Sequence, residues 1–151
     1  MSFPFVAENE QARKTLMMLA ERLSDEDLAL VTPYGWTIGA LFAHMAWWDQ
    51  RMIVLLRRWR EKGVDESPVD SEAVNEALKP LCHAMDPRVA IRLCLESAEQ
   101  SDAELSAMSP MLLAEIETSP NHFRVNRALH RNDHIRDILS LVPAARGAGG
   151  A

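Results

Sequence analysis

His130 and His134 stand four residues apart in a segment whose apolar residues repeat at helical spacing. In a helix that separation puts both imidazoles on one face, one turn apart, so that two rings can chelate a single ion. The spacing alone says little, because five histidines in 151 residues produce such pairs by chance. The setting says more. Phe123, His130, His134, Ile138 and Leu141 make one stripe, so the rings continue an apolar face. A histidine buried there needs partners for two ring nitrogens, and a cation satisfies one of them.

His44 has the same placement on an earlier segment, where Leu41, His44, Trp48, Met52, Leu55 and Trp59 recur at helical spacing. One histidine on an apolar stripe is ordinarily a core residue with its hydrogen bonds made. Three on two inward stripes, with Asp133 and Asp137 nearby, point to a divalent metal site held by His44, His130 and His134. Three protein ligands leave a position open for water or substrate, whereas a structural zinc is usually closed by four. Asp133, Asp137, Asp49 or backbone carbonyls are candidates to orient the outer imidazole N–H groups. Asp49 is also a candidate fourth ligand, and the alternative for all three acids is a solvated helix surface. Trp48, four residues after His44, is expected to wall the site or simply to fill the core. Arg51, on the following turn, either meets an anionic substrate or snorkels to solvent. His83 and His122 fall in or near connections and read as surface residues.

The elements that must position these residues are helices. A first helix is expected from about Ala7 to Leu23, with Ala12, Leu16, Leu19, Ala20 and Leu23 as its stripe. A short helical turn from Ser24 to Leu30 follows, then a Pro- and Gly-broken loop from Thr32 to Trp36. Thr37 caps a second helix that runs to Lys62, where Gly63 offers a left-handed stop. Glu66 to Val69 reads as linker, and Asp70 caps a short helix through Leu78. Asp86-Pro87, Ser109-Pro110 and Ser119-Pro120 each pair a capping residue with proline at the first helical position. The last of these opens a helix expected from Pro120 to about Leu141. The fold class is therefore all-α: a four-helix bundle with short extra helical turns in its connections, one domain over 1–143 and a flexible Ala/Gly-rich tail over 144–151.

Composition narrows the function classes. The net charge of −6 argues against a nucleic-acid partner, since affinity for phosphate backbones comes from clustered Lys and Arg. Arg57, Arg58, Arg60 and Lys62 make the nearest basic patch, and the end of a helix accounts for it. No stretch approaches the roughly 18 apolar residues of a membrane span, and Met1 to Phe5 does not read as a secretory leader. Cys82 and Cys94 form no CxxC and read as small buried hydrophobes, so the expected compartment is the reducing cytoplasm. No Ser–His–Asp grouping, phosphate-cradling glycine loop or dinucleotide fingerprint is present.

The segment from Gly35 to His44 resembles the stretch from a Gly-Trp turn to the helix-two histidine of the DinB-like family of bacterial four-helix-bundle proteins. His130 to Ile138 resembles that family's helix-four HxxxH segment, and order and spacing match over roughly residues 8 to 141. The resemblance implies a bundle whose three histidines, here His44, His130 and His134, bind a divalent ion such as zinc or nickel, and it implies frequent homodimers. Members include thiol-dependent transferases using mycothiol or bacillithiol and a maleylpyruvate isomerase. The leading expectation is thus a metal-dependent enzyme that activates a low-molecular-weight thiol, a transferase or detoxifying enzyme acting on a small molecule. The alternatives are a hydrolase that activates water with the same ion, and a non-enzymatic binding or sensor module. Residues 64–86 match no feature of the family.

Overall fold

The computed structural model describes residues 3–120 and 124–142. Its helices are α1 (Pro4–Arg22), α2 (Asp25–Leu28), α3 (Ile38–Lys62), α4 (Ser71–Ala84), α5 (Pro87–Ser106), α6 (Pro110–Thr118) and α7 (Ala128–Leu141). No strand occurs among the described residues, only an isolated bridge between Val31 and Thr37 that closes the loop ahead of α3. Within that loop Gly35 takes a positive φ of 85°, which a residue with a Cβ adopts only under strain.

The long helices α1, α5, α3 and α7 close a ring in that order, with α4 laid against α3. Most boundaries follow the capping chemistry in the sequence. Thr37 accepts from the Ala40 N–H at the start of α3, and Gly63 ends the helix with φ 84°. Ser24 and Asp27 form a reciprocal capping box on α2, which satisfies two backbone donors at once. Asp86 and Ser109 cap α5 and α6 ahead of Pro87 and Pro110. Arg57 and Arg60 of the basic patch reach across to Glu104 on α5, at 2.8 and 2.6 Å.

Three boundaries depart from the sequence-based expectation. The first helix begins at Pro4, because Pro at the first position needs no N–H partner. The fourth runs past Leu78 to Ala84 with Pro80 inside it; Pro80 and Glu76 are exposed, so the carbonyl that loses its bond faces water. Leu78 and Cys82, both buried, anchor that helix on either side of the proline. The last helix does not start at Pro120. Ser119 instead terminates α6 in an extended conformation, and α7 begins at Ala128. The Ala128 N–H donates to Asn9 Oδ1 of α1 at 2.8 Å and to Asn126 Oδ1 at 3.1 Å, so the start of the helix is fixed by tertiary contact. Phe123, His122 and the expected tail over 144–151 lie outside the described residues.

The core comes in two apolar clusters. One gathers Leu16, Leu41, Phe42, Cys94 and Ile138; the other gathers Phe5, Met52, Leu56, Trp59 and Leu105. Full burial of a leucine such as Leu16 or Leu56 stabilises the fold by about 1.5–3 kcal/mol. Along each long helix the residues between the two clusters are polar and buried: Asn9 on α1, Asp49 on α3, Ser97 and Ser101 on α5, and Arg131 on α7. Arg131 ties this belt together. It donates to the Asn9 carbonyl (2.9 Å), Ser101 Oγ (3.1 Å), Asp49 (3.3 Å) and both oxygens of Asp102 (2.9 and 3.0 Å). A buried cation is tolerable only with such partners.

Candidate metal centre

His44 reaches the centre from α3, and His130 and His134 from consecutive turns of α7. Their Nε2 atoms converge: His130 Nε2 lies 3.0 Å from that of His44 and 3.1 Å from that of His134. One ligand nitrogen from each ring falls within 4.8 Å of the others. The three rings sit edge to face, with centroids 4.7 to 5.1 Å apart. Helix periodicity supplies the two rings of α7; the third needs the lateral approach of α3.

The protonation chemistry of the cluster suits a cation. Burial, then the neighbouring charges of His134 and Arg127, pushes the His44 pKa down to about 3. Burial likewise holds His130 far below the usual imidazole range, helped by His134, Arg127 and His44. His134 is also lowered by burial, although Asp137 pulls the other way. Neutral rings are the ligand form. Asp137 Oδ2 sits 3.1 Å from His134 Nδ1, so Nδ1–H donates to the carboxylate and the Nε2 lone pair faces the centre. His44 Nδ1 is buried with no hydrogen-bond partner among the described residues. The Arg127 contact to His130 Nδ1, at 3.4 Å, is too long to fix that ring's tautomer. Lone pairs brought together on neutral imidazoles repel one another unless a proton or a cation lies between them, and the donor set is compatible with metal binding.

The surroundings divide the expected acids. Asp137 orients His134, and its carboxylate also receives the Tyr34 hydroxyl; burial and that carboxylate push the Tyr34 pKa up. Asp133 forms an ion pair with Arg136 one turn on. Asp49 bonds to none of the three rings. Its oxygens are committed to Arg127 Nε (2.9 Å) and Arg131 Nη2 (3.3 Å), and it is buried in the polar belt. Trp48 does stand beside the site, its ring centroid 6.4 Å from that of His44, with Nε1–H donating to Asn75 at 3.1 Å.

Sequence reasoning missed Trp36, whose ring lies nearer, 5.2 Å from His44. Trp36 is in turn flanked by His83 at 5.6 Å and by the Lys79 ammonium at 5.9 Å. His83 is exposed, as expected, yet bonded at both ring nitrogens: Nδ1–H donates to the Lys79 carbonyl and Nε2 accepts from the Thr37 N–H. The Gly-Trp loop and the exposed His83 are the signals that pointed to this wall.

A cavity of about 750 Å³ opens against His130, within the range of small-molecule sites. Trp48, Arg51, Asn75, Arg127 and Asp133 line it together with residues of the 64–86 segment. That segment, silent in the sequence, supplies one wall through Glu66, Pro68 and Val69. Arg51 turns into this wall and donates to Ser67 at 2.9 and 3.0 Å. The site as a whole therefore joins a neutral, convergent imidazole triad to a cavity large enough for a small organic molecule.

No curated protein and no solved structure gives a match to the chain. The family model of the DinB superfamily matches residues 8–140, a span that includes all three histidines and every helix contributing to the centre. The chain belongs to the DinB superfamily.

Proposed function

We propose that His44, His130 and His134 hold one divalent ion, zinc or nickel as the family resemblance implies, and that the protein is a metal-dependent enzyme transferring a low-molecular-weight thiol to an electrophile. The observation that carries this reading is the convergence of three neutral Nε2 donors, 3.0 and 3.1 Å apart, at the edge of the 750 Å³ cavity. A bound ion supplies Lewis acidity there, bringing the proton loss of a thiol or a water into the neutral range. The chain's own residues do the rest. Asp137 holds His134 in one tautomer and one orientation. Trp36 and Trp48 restrict water around His44. In the transfer itself the thiol proton leaves to solvent, sulfur bonds to the electrophilic carbon, and that carbon's leaving group departs. A cytoplasmic homodimer, reduced at Cys82 and Cys94, completes the proposal; both thiols are free and buried. No described helix is long and apolar enough to cross a membrane.

Metal analysis of freshly purified protein and of His44→Ala, His130→Ala and His134→Ala tests the core of the reading. The expected result is one ion per chain in the parent and loss of the ion in each variant, with helical circular dichroism retained. An electrophile panel assayed with and without added thiol tests the rest. Turnover that ignores thiol reassigns the protein to metal-dependent hydrolysis, and tight ligand binding without turnover reassigns it to a sensor or binding module. Metal-free protein of full activity removes the proposal, and light scattering at the mass of a single chain removes the dimer.

A further inference from the structure

The wall of the cavity beside His130 carries more positive charge than its carboxylates neutralise. Arg51, Arg124 and Arg127 face it, together with Glu66 and Asp133. Arg127 is neutralised by Asp49 at 2.9 Å, and Asp133 by Arg136. Arg51 is only partly exposed, and its hydrogen bonds go to the neutral oxygens of Ser67, at 2.9 and 3.0 Å. Arg124 makes no ion pair with any described residue, and Glu66 pairs with none of the three arginines. Among the described residues, two guanidinium groups on one wall are thus without an ion-pair partner.

For Arg51, which is only partly exposed, that arrangement is costly. Moving a cation out of water is unfavourable unless an opposite charge replaces the lost hydration. Burial and the positive charge of Arg127 both work against the charged form of Arg51. A ligand bringing negative charge relieves both effects. The planar fork of arginine matches a carboxylate in two parallel hydrogen bonds, and its weak hydration makes the exchange cheaper than for lysine. Trp48, Met52 and Val69 give the same cavity an apolar surface for a carbon skeleton. Arg51 and His130 line one space, so a molecule anchored at the guanidinium end extends toward the imidazole triad.

We infer that the cavity is a binding site for a small organic carboxylate, gripped by Arg51 and Arg124 with its carbon skeleton directed toward His130. The inference deepens the proposed function by giving its small-molecule substrate a charge class, and it rests on that reading for which end of the ligand reacts. Carboxylate binding itself needs only the arginines.

The test is titration of the metal-loaded protein with succinate, with its uncharged diamide succinamide, and with inorganic phosphate. Calorimetry and tryptophan fluorescence, to which Trp48 of the cavity wall contributes, follow binding, and metal content is measured on the same samples. Succinate is expected to bind at least about tenfold more tightly than succinamide and than phosphate, the size of effect a charge-assisted pair provides. Arg51→Gln and Arg124→Gln are each expected to weaken succinate at least about tenfold with metal content unchanged, and Arg51→Lys to recover part of the loss. Arg124 is exposed and makes no ion pair with a described residue, so its variant reads binding even where Arg51→Gln loosens the Ser67 segment. Equal binding of succinate and succinamide, or parent-like affinity in both glutamine variants, overturns the inference; tighter binding of phosphate overturns the carboxylate assignment. Chains that hold no metal yet bind succinate through the arginines overturn the metal reading and leave this one standing.

Discussion

Replacing Asp49 by alanine separates two jobs that the sequence leaves open for that residue. A fourth metal ligand, once removed, costs metal affinity and little else. The hub of a buried charge network costs stability with or without metal. Asp49 is 2% exposed and neutralises Arg127 and Arg131 together, at 2.9 and 3.3 Å. Removing one partner of a buried pair typically destabilises by about 3–5 kcal/mol, because the remaining charge stays buried without compensation. Arg131 keeps Asp102 at 2.9 Å, whereas Arg127 loses its carboxylate, so the lower end of that range applies, about 3 kcal/mol. With a urea dependence of about 2 kcal/mol per molar for a domain of this size, the unfolding midpoint falls by about 1.5 M. The assay is equilibrium urea unfolding followed by circular dichroism, run on metal-stripped and metal-loaded Asp49→Ala beside the parent. The shift is expected in both states. A shift below about 0.5 M, or one confined to the metal-loaded protein, refutes the network and returns Asp49 to the metal.

Three further outcomes follow from named contacts. Burial pushes the thiols of both Cys94 and Cys82 up, so at pH 8 neither is expected to react with an alkylating reagent in the native protein, and both in urea; fast native labelling of Cys94 contradicts its burial. A Cβ added at Gly39 falls 2.9 Å from Pro87 Cβ, on a rigid ring at the start of α5. Gly39→Ala is therefore expected to cost about 1–3 kcal/mol by overpacking, read as a lowered thermal midpoint, and an unchanged midpoint removes the close approach of α3 to α5. In metal-stripped protein the His44 pKa is about 3 in the folded chain against an ordinary value near 6.5. Between those values the unfolded chain binds the extra proton, so stability is full above about pH 6.5 and is lost as pH falls below it. His44→Gln flattens that slope between pH 7 and 5 in urea titrations, and an unchanged slope assigns the acid sensitivity elsewhere.

The helices and the three histidines that the fold gathers were legible because their signals are local. Periodicity put His44 on the inward stripe of α3, and the His130–His134 spacing needs only a helix to face both rings one way. The boundaries that were misplaced depend on distant chain. The start of α7 is set by Asn9, 119 residues away from Ala128, and no capping rule sees that contact. Ser119-Pro120 has the grammar of a helix start, but Ser119 already closes α6, and one residue serves one end. Asp49 illustrates the same limit at the site. A lone carboxylate five residues after a candidate ligand reads as metal chemistry until its partners, 78 and 82 residues on, are brought beside it. The roles of Trp36, Tyr34 and the 64–70 stretch went unread because loops acquire their neighbours only when the bundle closes.

The bundle places its centre on the seam where α3 and α7 meet largely through polar side chains. Neighbouring helices in such folds normally close on apolar side chains, and α3 packs extensively on α5 in that way, whereas its contact with α7 is sparse. Across the α3–α7 seam the facing residues are His44 and Asp49 on one side and Arg127, His130, Arg131 and His134 on the other. Two polar clamps act beside the apolar cluster that Leu41 and Ile138 share: the Asp49 ion pairs, and the convergent imidazoles a turn or so above them. The first clamp helps set the rotation of α7, since Arg131 lies between the two histidines in sequence and reaches into the belt, to Asn9, Ser101 and Asp49. Turning Arg131 inward toward α1 and α5 turns His130 and His134 toward α3. A charge network anchored in the core thus sets how α7 presents its histidines, and the Asp137 bond to His134 adds to it at the ring itself.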